Sequence, residues 1–280
     1  MTTLRVFVEG IGLLGPGLPS WPAAQAVLLG QAAHQFALSV LPPPPRLPPA
    51  ERRRAGPVIR LAMAVAEEAV AMAGADPQTL GSVFASSGGE GSNCHSLCET
   101  LAGATLAGNT PMISPTRFTN SVHNAAAGYW HIAVGSRAAS TSLCAFDGSF
   151  SAGLLEAATL LCTDPRPLLL VAYDLPYPEP LHRVRPLPDN FGLALVLAPV
   201  ASARTLAALQ ITLQQAGAAG PIDGCADPSL EALRRGIPAA AALPLLQALA
   251  RRGPANAVNL GYLPPLELRV AVDGPFGDRP

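Results

Sequence analysis

Residues 111–161, PMISPTRFTNSVHNAAAGYWHIAVGSRAASTSLCAFDGSFSAGLLEAATLL, hold the pattern from which the fold is read. Ser114-Pro115 opens the stretch and Asn124-Ala125-Ala126-Ala127-Gly128 begins a helix. Ser140 to Phe146 then reads as a strand and Gly148 to Leu161 as an apolar helix. Asp147 stands at their junction. Aspartate is among the best helix-starting residues because its carboxylate accepts hydrogen bonds from first-turn amides, so Asp147 is expected to cap the helix that begins at Gly148. The alternative is a carboxylate acting as acid, base or nucleophile, but a cap position lowers a carboxyl pKa and makes a poor base.

The rest of the chain sets the bounds. At 280 residues with 49% hydrophobic content it can bury a full core, as one large domain or two small ones. Charged residues make up only 13%, about half the usual share, and every basic side chain other than histidine is Arg. So little charge predicts that a sizeable area is buried against another subunit. A net charge of -1 offers no field for a nucleic-acid backbone, and Arg52-Arg53-Arg54 is too short a basic cluster to supply one. No apolar run reaches the length of a membrane span, and the N-terminal apolar stretch lacks a cleavage pattern. Five scattered cysteines do not form a disulfide framework and fit a reducing cytoplasm.

Along the chain, Arg5 to Gly10 reads as a strand followed by a turn at GIGLLGPG. The proline-rich Leu41 to Pro49 is expected to run as an extended loop, because proline supplies no backbone donor. Arg52 to Gly74 reads as one helix with Gly74 as its C-cap. Ser82 to Ser86 reads as a short strand entering the glycine-rich SSGGEGS, whose spacing matches neither phosphate-binding pattern. Asn93 to Ala107 looks helical. Leu168 to Ala172, Leu193 to Leu197 and Thr205 to Leu213 read as buried strands. Ala239 to Arg252 is an apolar helix, and Ala257 to Leu260 and Leu266 to Val272 close the chain as strands. This alternation predicts a layered α/β fold, with no internal repeat visible.

The quoted stretch resembles the centre of a β-ketoacyl synthase, and GIGLLGPG resembles the turn after that family's first strand. In those enzymes a buried strand delivers a reactive Cys to the first turn of an apolar helix. Aligning Gly128 with the family's Ala-Ala-Gly glycine and Glu156-Ala157 with its Glu-Ala needs no gap and puts Asp147 at the nucleophile position. Cys144 falls three residues early and is read as a strand residue, because sheet register resists such slips. The resemblance implies a thiolase-like layered fold: a complete N-terminal half over residues 1–200 and an abbreviated C-terminal half over 201–280 packed in the same domain.

That family's chemistry needs a thiolate at a helix N-terminus and two histidines from the second half. Residues 183–280 contain no His. The chain therefore looks most like the chain-length-factor proteins of aryl-polyene and xanthomonadin-type pigment clusters. What this implies is a subunit without catalysis of its own and without cofactor, pairing with an active ketosynthase and meeting acyl carrier protein through that partner. Its expected interface and acyl-pocket gate comprises Phe118, Asn120, His123, Asn124, Tyr129 and Trp130, within residues 111–135. His123 also reads as a hydrogen-bonded helix-entry residue. Two other functions stand beside this one: an acyltransferase or thioesterase using Cys144 or Ser149 with His123, and an acyl-binding scaffold. Cys94, His95 and Cys98 have metal-ligand types but no completing ligand, and the two thiols, four residues apart, read as packing residues on a helix.

Overall fold

The computed structural model describes residues 3–251 and 256–274. After β1 (Thr3–Leu14) come two short helices, α1 (Trp21–Leu28) and α2 (Pro49–Arg54), and the long α3 (Pro57–Ala73). β2 (Gly81–Ala85) leads into α4 (Gly91–Leu106), α5 (Pro115–Asn120), α6 (Ala125–Val134) and β3 (Ser140–Leu143). Next are α7 (Ser149–Thr163), β4 (Leu168–Asp174), α8 (Leu181–Val184), β5 (Phe191–Ala198) and β6 (Ala207–Gln215). α9 (Pro228–Gly236), α10 (Leu243–Arg251), β7 (Asn256–Gly261) and β8 (Leu266–Asp273) complete the order.

β1 runs straight through the Gly-Ile-Gly segment expected to turn, and the chain reverses only where Gly15 and Leu18 exchange backbone hydrogen bonds. These glycines serve contact. A Cβ on Gly10 would lie 2.1 Å from the Ala69 carbonyl oxygen, and one on Gly12 would lie 2.0 Å from that of Val65. Bare backbone is what lets α3 rest on β1. The single helix expected over Arg52 to Gly74 is two, because Pro57 cannot donate an amide and restarts the helix after Gly56. Gly74 does close it, in the left-handed conformation at φ 58°. The helix expected from Ala239 starts as a 3-10 turn over Pro238–Ala242 before α10; its last residue, Arg252, lies outside the described residues.

The eight described strands form one sheet in the order β3-β2-β4-β5-β1-β6-β8-β7. β2 is parallel to β3 and β4, whereas β5 is antiparallel to both β4 and β1. A repeat that the residues do not announce appears here. From the antiparallel β1/β6 seam outward, β1-β5-β4 is mirrored by β6-β8-β7, every neighbouring pair antiparallel. α10 precedes β7 as α7 precedes β4. α7 packs on β1, β2 and β4, and α10 on β7 and β8, all within a single apolar core. α3 and α6 cover the opposite face of β1, β2, β4 and β5 with a second core. β4 and β5 are thereby buried along their whole length, as continuous apolar strands should be.

Candidate functional site

Between the end of β3 and the start of α7 the chain makes a tight turn. Phe146 lies at φ 51°, the one described non-glycine residue with positive φ, a costly conformation for a bulky side chain. Ser149 holds it: its hydroxyl donates to the Phe146 carbonyl oxygen at 2.7 Å and accepts from the Ala145 amide at 3.0 Å. Asp147 does not cap α7, contrary to expectation, because Gly148 occupies the cap position and the carboxylate turns outward. Asp147 instead accepts from the Arg185 guanidinium at 2.5 Å, and that guanidinium stacks 3.7 Å from the Phe146 ring centre.

These three side chains line a cleft of about 740 Å³ between the two halves, which Leu181, Val184, Arg234 and Tyr262 also border. Ser151 anchors α7 across it by donating to the Gly261 carbonyl oxygen of β7 at 2.6 Å. Cys144 is not within the strand as expected, since β3 ends at Leu143; its exposed thiol donates to the Ser87 carbonyl oxygen at 3.2 Å. The His123 ring reaches the neighbouring Ser86 carbonyl oxygen with Nε2 at 3.4 Å. Among the described residues no hydrogen bond joins His123 to Cys144 or Ser149, and Ser149 is buried and committed to the turn. His123 and Cys144 instead bond the carbonyl oxygens of the adjacent Ser86 and Ser87.

Beneath the glycine-rich loop lies a network that the sequence reading missed. Asp174, at the end of β4 and 2% exposed, accepts from the Ser86 and Ser87 hydroxyls, the Ser87 amide and the Ala239 amide. Burial pushes its carboxyl up to about 6, outweighing the Ser87, Ala239 and Ser86 hydrogen bonds, which pull it down. Tyr177 bonds the Ser87 hydroxyl at 2.9 Å. A carboxylate ending the otherwise apolar LLLVAYD was the available signal for Asp174. Arg185 had none, arriving through a loop after the short α8.

Residues 111–135 divide sharply. Phe118 is 63% exposed, and Asn124 is exposed and makes no cap hydrogen bond. Asn120 is buried, its amide donating to the Arg54 carbonyl oxygen at 2.9 Å and accepting from the Tyr129 hydroxyl at 3.0 Å. Tyr129 and Trp130 were expected as interface anchors; both rings are buried in this chain's own cores, so neither is free to meet a partner. The apolar surface lies elsewhere: none of the sixteen residues of α4 is buried, and Leu106, Met112, Val122 and Ile132 are exposed with Phe118. Cys94 and Cys98 are exposed on α4 rather than packed; the Cys94 thiol donates to the Ser121 carbonyl oxygen, while His95 faces Glu99. Among the described residues no helix is long and apolar enough to cross a membrane.

A mixed sheet with paired halves and a strand feeding the start of a central helix defines the thiolase-like condensing-enzyme class. The model of the beta-ketoacyl synthase N-terminal domain matches residues 21–237, and the chain belongs to that family. Comparison with curated protein sequences gives no match. Three solved structures resemble it in fold. The ketosynthase ApeO in complex with its chain length factor ApeC from Xenorhabdus doucetiae matches at 24% identity and TM-score 0.67, over 96% of this chain and 99% of that one. The ishigamide ketosynthase/chain length factor matches at 16% and 0.68, over 96% and 99%. AntDE:AntF, a type II polyketide synthase acyl-carrier protein in complex with its ketosynthase bound to the hexaketide, matches at 13% and 0.72, over 98% and 100%.

Proposed function

We propose that this chain is the chain-length-factor-like, non-catalytic subunit of a ketosynthase pair, shaping the pocket in which a polyene-type acyl chain grows on a carrier protein bound by its partner. The observation that carries this reading is a sheet edge, β3, unpaired among the described residues, next to a helix with no buried residue. The Ala139 and Leu143 carbonyls accept from β2, so by strand alternation Ser140 and Ser142 turn their backbone groups outward. His131 of α6 contacts Ser82 of β2, which bonds Ser140, and Cys94 ties α4 to the segment before α6. β3, α6, α4 and the segment that carries Phe118 are thus linked neighbours. Solved relatives that are ketosynthase pairs add support. So do the turn 145–149, which has no Cys, and the absence of His from residues 183–280.

The test is co-expression with candidate ketosynthases, followed by light scattering and product analysis. A heterodimer that makes product, with no β-ketoacyl product from the isolated chain, is expected. A stable monomer that never co-purifies with a ketosynthase, or condensation by the chain alone, overturns the reading.

A further inference from the structure

The glycine-rich loop and the end of β4 enclose a second, smaller cavity of about 170 Å³, bordered by Gly88, Glu90, Asp174, Tyr177 and Asn190. We propose that it binds a partly hydrated monovalent cation, with Glu90 Oε2 as the charged ligand. Glu90 is 5% exposed, and its Oε2 is buried with no hydrogen-bond partner among the described residues. Asp174 borders the same space, but its oxygens are occupied by the four donors already described. Neither carboxylate joins any described ion pair. A buried carboxylate oxygen with neither donor nor counter-charge, as Glu90 Oε2 is, must either lose its charge or gain a cation. Burial does raise the Glu90 carboxyl, against the pull of the Asn93 and Ser92 amides.

The donor set selects the ion. Oxygen is the ligand type that the bordering residues Glu90, Tyr177 and Asn190 carry, with one carboxylate oxygen of Glu90 free. The Ser87 hydroxyl donates to Asp174 and so accepts from Tyr177, which leaves the tyrosine oxygen's own lone pairs available. Hard oxygen donors exclude the softer transition metals. One free carboxylate oxygen is too little charge for a calcium cage, and no three described His, Cys, Asp or Glu side chains cluster as a metal site. The volume accommodates an ion with several waters at roughly 30 Å³ each. A bound cation would tie the start of α4 to the loop after β4 that carries Tyr177.

Thermal unfolding of the full chain in potassium, sodium or choline chloride at equal ionic strength tests this. A saturable rise of about 3 °C or more in potassium or sodium over choline is expected, lost in Glu90→Gln. Equal melting in all three salts, or an ion-specific rise that persists in Glu90→Gln, overturns it. Should that variant not fold, crystals of the unaltered chain soaked in thallium(I) decide: an anomalous peak beside Glu90 upholds the site, and its absence there refutes it. The outcome is independent of whether the chain pairs with a ketosynthase.

Discussion

Trp130 shows how burial changes the meaning of a residue. At 1% exposure in the core beneath α3, it makes Trp130→Ala a folding variant rather than an interface variant, with an expected loss of about 3–5 kcal/mol by urea denaturation of the isolated chain. Phe118 is the opposite case. It is free to reach a partner, so Phe118→Ala should leave stability within about 0.5 kcal/mol and shift product length upward or broaden it in the paired enzyme. An unchanged product distribution from a variant that still pairs removes Phe118 from the gate. Asp147 lies between these two. Its pair with Arg185, in which the carboxylate is exposed, contributes about 1 kcal/mol or less, so Asp147→Asn should alter denaturation little and leave pathway output intact. Loss of product from a folded, paired Asp147→Asn chain means that the carboxylate has a chemical role.

Among the elements, β3 is the one on which the proposed pairing rests. Ser142→Pro deletes an outward amide while sparing the carbonyls that face β2, the placement in which an edge strand tolerates proline. The variant should keep its far-ultraviolet circular dichroism and lose co-purification with the ketosynthase. Undiminished pairing would place the interface away from β3. α7 was readable in advance because its apolar spacing and its place after a strand agree. α4 was equally readable as a helix, but its packing was not. Fourteen of its sixteen residues were expected as helix, and nothing in their spacing shows that none would be buried.

For the whole molecule, buried acids set the response to pH. Asp174 is raised to about 6, and burial also raises Glu67, Glu68 and Glu90. A carboxyl whose folded pKa exceeds its unfolded value contributes stability that is full below the unfolded pKa and is lost as pH rises through the folded one. The groups shifted the other way, Asp164, Asp227 and Glu231, act only as pH falls through the ordinary carboxylate range. Between pH 5 and 7.5 the chain should therefore lose about 1–2 kcal/mol to the Asp174 shift alone, measured by urea denaturation in choline buffer. Asp174→Asn should flatten that slope; an unchanged slope would assign it to other groups.

Composition and periodicity carry much of the element assignment because the free energy of burying apolar surface is local in pattern: short runs such as Leu168–Ala172 and Leu193–Leu197 are of the kind that form buried strands. The Ser-Pro, Ala-Ala-Ala-Gly and strand-to-helix spacing carried the family, which needs only short segments in order. What tertiary structure alone decided is everything that depends on neighbours distant in the chain. Gly10 and Gly12 look like a turn until α3 rests on them, and Asp147 looks like a cap until Arg185 comes within reach. The mirrored β6-β8-β7 half emerges from hydrogen-bond pairing that leaves no matching residues behind. Glu90 and Asp174, 84 residues apart, face one cavity because β2 and β4 are sheet neighbours, a fact no reading along the chain contains.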